Sequence, residues 1–175
     1  SCMHTIDITC KIFTKKLTAS ILCDIASIDK LRQGRIEKGL YQVDHHIIAS
    51  FKKKSPSLSV VLDQLQQFDD PKITFDISYI NYIKHAKHPL HNSPKTYKQF
   101  KNLLLNPNLY TLFTLLYDAS LLQQLIKPLK PILNLAQFDG YHKFPVDTHS
   151  LHSLYHLENI KDAFIKSLFD DLCPE

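Results

Sequence analysis

Three glycines, Gly34, Gly39 and Gly140, serve a chain of 175 residues. That scarcity restricts the fold strongly, because glycine supplies the backbone conformations that phosphate-cradling loops and nucleophile turns require. No GxGxxG, GxxxxGK[ST] or GxSxG pattern occurs. The enzyme classes built on those loops are thereby excluded. What fills the chain instead is apolar residues recurring every three or four positions, the spacing of helices that bury one face.

Residues 3–32 carry Ile6, Cys10, Phe13, Leu17, Ile21, Ile25 and Ile28 mostly at that spacing and read as one long helix. The stretch GRIEKGLYQVD differs. Ile36 precedes Lys38-Gly39, a two-residue turn pair, and Tyr41 and Val43 then alternate with Gln42 and Asp44. This predicts a β-hairpin near 34–44, which must lean on helices because two strands alone are marginally stable. Helical spacing resumes through His46, Ile47, Ala49 and Phe51, and again after Ser55-Pro56 through Leu58, Val61, Leu62, Leu65 and Phe68. In DDPKITFDISYINYIKHAKHP the β-branched residues would suit a strand, but the Asp-Asp-Pro opening favours a helix. Ser93-Pro94, Asn106-Pro107 and Pro145 each stand ahead of a further helix, while Pro128 and Pro131 cut the segment between into short pieces. A last amphipathic stretch covers Ala163, Phe164, Leu168, Phe169 and Leu172. The expected fold is mainly α, a helical bundle with a small β-hairpin insert.

A net charge of +4 spread over many lysines reads as solubility, and Lys52-Lys53-Lys54 reads as a solvated helix end. Lys95-Thr96-Tyr97-Lys98 alone interleaves an aromatic ring with basic residues, so nucleic acid is not an expected partner. No apolar run approaches the roughly 20 residues that cross a bilayer, so no membrane partner is expected either. Cys2, Cys10, Cys23 and Cys173 form neither CxxC pairs nor a dense disulfide framework, and no secretory signal precedes them, which points to a reducing, cytoplasmic location.

Histidine and aspartate are concentrated in FDGYHKFPVDTHSLHSLYHL, residues 138–157. On a helix beginning near Pro145, His149, His152 and His156 share roughly one face. Ligands for one ion must converge from several directions, so three imidazoles on a single helix read as an exposed polar face rather than a metal site. His85, His88 and His91 are separated by Pro89 and read as loop histidines. Asp44-His45-His46 reads as a capping aspartate with flanking histidines rather than an acid/base dyad, and Asp69-Asp70 as helix-capping groups rather than paired catalytic carboxylates.

Taken with its neighbours, the segment made by Asp139, Tyr141, His142, Phe144, Val146, Asp147 and His149 resembles a junction in the bacterial PII uridylyltransferase/uridylyl-removing enzymes. In that family a D-x-[FY]-H-x-[YF]-T-V-D-E-H segment opens a metal-dependent HD phosphohydrolase domain. GLYQVDHHIIASFKKKSPSLSVVLDQLQQ is similar to the family's hairpin-then-helix passage, and NLYTLFTLLYDASLLQQLIKPLKPI to the helices leading toward the HD domain. The resemblance spans about residues 10–175. Pro145 replaces the usual threonine and Thr148 the usual acidic residue.

The resemblance implies a helical linker over 1–137, following a nucleotidyltransferase domain, and the first HD helices over 138–175. It implies that His149 is a single HD-type metal ligand, with His142, Asp147 and Asp139 as neighbours, and that the intact enzyme uses a divalent ion, Mg or Mn. No His-Asp dipeptide occurs anywhere, and no Gly-Ser motif with paired aspartates, so neither active site is complete and no ion is expected to bind tightly. The implied activity is transfer of UMP from UTP to a PII-type signalling protein, and its hydrolytic removal, in response to nitrogen status. This segment would scaffold the two sites and be inactive alone. The alternative is a non-catalytic helical interaction or regulatory module. Under either reading Leu151, Leu154, Phe164, Leu168 and Phe169 are expected to form an apolar patch or a homo-oligomer contact on the last two helices.

Overall fold

A computed structural model describes residues 34–50, 54–86, 93–136 and 144–172, with the side chains of 169–172 excepted. The expected helix over 3–32, the four cysteines and Lys52-Lys53 lie outside these residues, as do His88, His91, Asp139, Tyr141 and His142. The described chain is mainly α with a small four-stranded sheet.

The hairpin forms where Lys38-Gly39 predicts it, between β1 (Arg35–Glu37) and β2 (Leu40–Val43). Gly39 sits at φ 78°, a left-handed conformation that glycine adopts without a Cβ clash. The sheet then continues beyond the expected hairpin. β3 (His46–Ala49) pairs antiparallel with β2, and β4 (Thr74–Phe75) pairs parallel with β3. His46, Ile47 and Ala49 are therefore strand residues, not helical as their spacing predicts. Short apolar runs carry no reliable period. Here a tight turn at Asp44-His45, with Asp44 at φ 54°, folds the run back onto β2.

Four helices complete the part nearest the sheet. Ser57, not Ser55, caps α1 (Leu58–Leu65), its hydroxyl accepting from the Val60 amide. Asp76 caps α2 (Ile77–Lys84) by accepting from the Ser78 amide. The helix expected from the Asp-Asp-Pro opening therefore starts later, because Thr74 and Phe75 are taken up by the sheet. Ser93 caps α3 (Pro94–Leu103), with proline in the first turn as read from the sequence. Asn106 accepts from the Asn108 amide and turns the chain into α4 (Leu109–Asp118).

Leu40, Ile47, Leu58, Leu62, Leu65 and Tyr79 are fully buried between the sheet and helices α1 and α2. Their apolar surface, removed from water, is the main stabilising contribution, at about 25 cal/mol per Å². Phe68, Phe75 and Tyr79 meet edge-on or tilted within this core, with centroids 5.3–6.4 Å apart. The same core continues through Leu103, Leu112, Leu116 and Leu122, and the stacked rings of Phe100 and Phe113 join α3 to α4.

After α4, Ser120 at φ 60° ends the helix, and α5 (Leu122–Leu125) leads into a 3-10 turn over Lys127–Ile132. Pro128 and Pro131 lie in that turn, and the short pieces are those the prolines predict. α6 (Val146–Glu158) and α7 (Ala163–Leu172) follow. α6 packs on α4 and on the 3-10 turn, with Leu151 and Leu154 half-buried against the core.

Candidate functional site

α4, α5, the 3-10 turn and α6 border a partly open pocket of about 210 Å³. Its walls are mostly apolar, from Phe113, Leu122, Ile126, Leu129, Leu151 and Leu154. Tyr117, Gln123, Asp147 and Ser150 supply the polar part of the lining. The arrangement follows from helical spacing: Phe113 and Tyr117 are one turn apart on α4, and Asp147, Ser150, Leu151 and Leu154 repeat along one face of α6.

Asp147 is almost fully buried, only 3% exposed, and its carboxylate accepts three hydrogen bonds. Oδ2 accepts from the Tyr117 hydroxyl at 2.7 Å and from the Asn134 amide at 2.8 Å, while Oδ1 accepts from the Thr148 amide at 2.8 Å. Asn134 stands at φ 55°, and asparagine is among the residues that tolerate that backbone best. Burial, with the bond to Asp147 second, pushes the Tyr117 phenol well above its ordinary range, so its proton stays on the tyrosine. A carboxylate held by three donors is a tie between chain segments.

His149 is exposed and does not line the cavity, although Asp147 does. His152 stacks on Phe144 with centroids 4.5 Å apart, and His156 meets Tyr155 edge-on at 5.5 Å. The divalent ion that the family resemblance implies is not fitted by these groups. Asp147 turns its oxygens to N–H and O–H donors, and no three His, Cys, Asp or Glu converge on one point among the described residues. His85 ends α2 and is exposed.

The hairpin histidines have partners the sequence did not reveal. His45 Nδ1 lies 2.7 Å from Asp70 Oδ2, and His46 Nδ1 bonds the Thr74 hydroxyl. Asp70 also accepts from the Lys72 amide, so it closes a turn ahead of β4 and caps no helix. Tyr117 and Asn134 were missed as Asp147 partners for a related reason. Each is far from Asp147 in sequence and unremarkable in its own neighbourhood; only the positive φ that an asparagine accommodates is a hint.

Comparison with protein-family models, with curated proteins and with solved structures found no match.

Proposed function

We propose that this chain is a scaffolding segment of a cytoplasmic enzyme resembling the bifunctional PII uridylyltransferase/uridylyl-removing family. In this reading the helices form a bundle that positions a UTP-dependent transferase site relative to an HD-type hydrolase site and performs neither reaction alone. The observation that supports it most is the use made of Asp147. The residue that aligns with the opening of the family's HD segment is spent on the Tyr117 hydroxyl and the Asn134 amide, tying α6 to the helices before it. The tie acts beside the half-buried leucines, the Glu158 carboxylate that accepts from the Tyr110 amide, and the Tyr110–Tyr155 ring pair, which also hold α6 on α4.

The test is enzymatic and calorimetric. The chain mixed with uridylylated PII-type protein and Mn²⁺, or with unmodified PII-type protein, UTP and Mg²⁺, is expected to release or transfer no UMP. Titration with Mn²⁺ is expected to show no binding in the micromolar range. Release of UMP at a rate above buffer, or micromolar binding of the ion, overturns the reading.

A second reading is favoured by α7. Phe164, Ile165 and Leu168 are exposed there, Phe164 by 71%, whereas Leu151 and Leu154 are half-buried within the fold. As a non-catalytic interaction module, the chain would associate through that helix with a second copy. Sedimentation showing a strict monomer at high concentration overturns this alternative.

A further inference from the structure

We infer that the pocket bordered by α4, α5, the 3-10 turn and α6 binds an uncharged aromatic molecule of one or two fused rings that carries one N–H or O–H donor. Part of its wall is made of pieces that prolines keep short. Pro128 and Pro131 hold the chain after α5 in a 3-10 turn, so no long helix packs along α6 there. Ile126, Leu129, Leu151 and Leu154 border a space that their side chains do not fill. Folded chains leave few apolar gaps larger than a water molecule, and an apolar occupant restores the contacts such a gap forfeits.

Size and charge narrow the occupant. An apolar cavity of about 150 Å³ holds benzene. At about 210 Å³ this pocket takes a ring with one further small ring or substituent. No Lys, Arg or His stands among the described residues that line it, so a carboxylate or phosphate would lose its water and meet no cation. Asp147 is almost fully buried and already accepts three hydrogen bonds, which leaves little of it for an ammonium group.

The donor follows from Gln123. The Tyr117 hydroxyl gives its proton to Asp147, and the Ser150 hydroxyl gives its proton to the Val146 carbonyl. Gln123 differs from both, because its side-chain oxygen Oε1 is buried with no hydrogen-bond partner. A buried acceptor left unpaired is costly, and a donor brought by a ligand removes that cost. The residue lies on the short helix α5 and is only half-buried, so its side chain has room to turn the oxygen toward the pocket. Binding of this kind is independent of the scaffolding role and of any metal.

The experiment uses the full chain with isotope-labelled Leu and Ile methyl groups, followed by NMR, and a pair of isosteric molecules: indole, which has an N–H, and benzofuran, which has an oxygen in its place. Indole is expected to shift the methyls of Ile126, Leu129, Leu151 and Leu154 saturably, with a dissociation constant between high micromolar and millimolar, the range open to a ligand of so few atoms. Benzofuran is expected to shift the same methyls with about fivefold weaker affinity. Benzoate is expected not to saturate. Gln123→Leu removes the unpaired acceptor and is expected to bind indole and benzofuran equally. Ser150→Phe places a ring at an exposed lining position and is expected to abolish binding of both. Unchanged circular dichroism reports that each variant folds. Failure of indole to saturate, shifts confined to α7, equal affinity of the unsubstituted chain for indole and benzofuran, a preference for indole that survives Gln123→Leu, or tighter binding of benzoate or benzylamine would each overturn the assignment.

Discussion

The Tyr117 hydroxyl donates to Asp147 Oδ2 at 2.7 Å, across 30 residues of sequence, and so fixes α6 on α4. Because the Asn134 amide shares the same oxygen, Asp147 joins α6 to two earlier chain segments. Asp147→Ala leaves the Tyr117 and Asn134 donors unpaired in a buried place and is expected to cost about 2–4 kcal/mol. Tyr117→Phe removes one donor and leaves the carboxylate two others, so about 1–2 kcal/mol is expected. Urea unfolding of the two single variants and the double variant measures both losses. Strict additivity would show that the pair does not interact.

Alkaline titration addresses the same bond from the proton side. Burial raises the phenol pKa of Tyr79 and of Tyr117 above the ordinary value, and neighbouring Tyr82 and Glu37, or Asp147, add to it. A group whose folded pKa is raised stabilises the fold below its unfolded pKa, near 10, and loses that contribution as pH rises toward the folded value. Tyr79 and Tyr117 are therefore expected to stay silent in ultraviolet absorbance while the fold persists above pH ~10. Tyr117→Phe should reduce the silent signal by one phenol.

Asp70 works in the opposite sense. The Lys72 amide, and next the His45 side chain, hold its carboxyl below the ordinary 3.8. Its contribution is thus present above that pH and fades as the solution is acidified through the lowered folded value. Carboxyl chemical shifts followed by NMR should place Asp70 below the free-aspartate range, and His45→Ala should return part of the shift. If His45→Ala leaves the titration unchanged, the contact at 2.7 Å does not form in solution.

Gly39→Ala tests the hairpin turn. At φ 78° a Cβ is unfavourable, so about 1 kcal/mol of destabilisation is expected in thermal or urea unfolding. A neutral effect would show that the turn relaxes to another type.

Leu112→Ala tests how far the core extends beyond the sheet. The side chain is fully buried on α4, and its truncation is expected to cost about 2–5 kcal/mol. An effect below 1 kcal/mol would mean that α4 is not part of the cooperative core.

Some of this organisation was legible in the residues themselves. Ser93-Pro94 marks the start of α3 because a capping hydroxyl followed by a proline satisfies the requirements of a first helical turn locally. Lys38-Gly39 marks the hairpin for an equally local reason, the glycine's access to positive φ. Those signals need no distant partner. The fate of His46–Ala49 and Thr74–Phe75 did need one. Their apolar and β-branched residues suit either conformation until the chain over 50–73 brings them side by side as parallel strands, Thr74 donating its amide to the His45 carbonyl at 2.7 Å. Asp147 was likewise visible as a member of a His- and Asp-rich motif, but its role could not be read there. The burial that pairs it with the Tyr117 and Asn134 donors exists only once α4, the 3-10 turn and α6 have packed. Local backbone preference determined where helices and turns begin, and long-range pairing of polar groups decided which carboxylates and histidines act as structural ties.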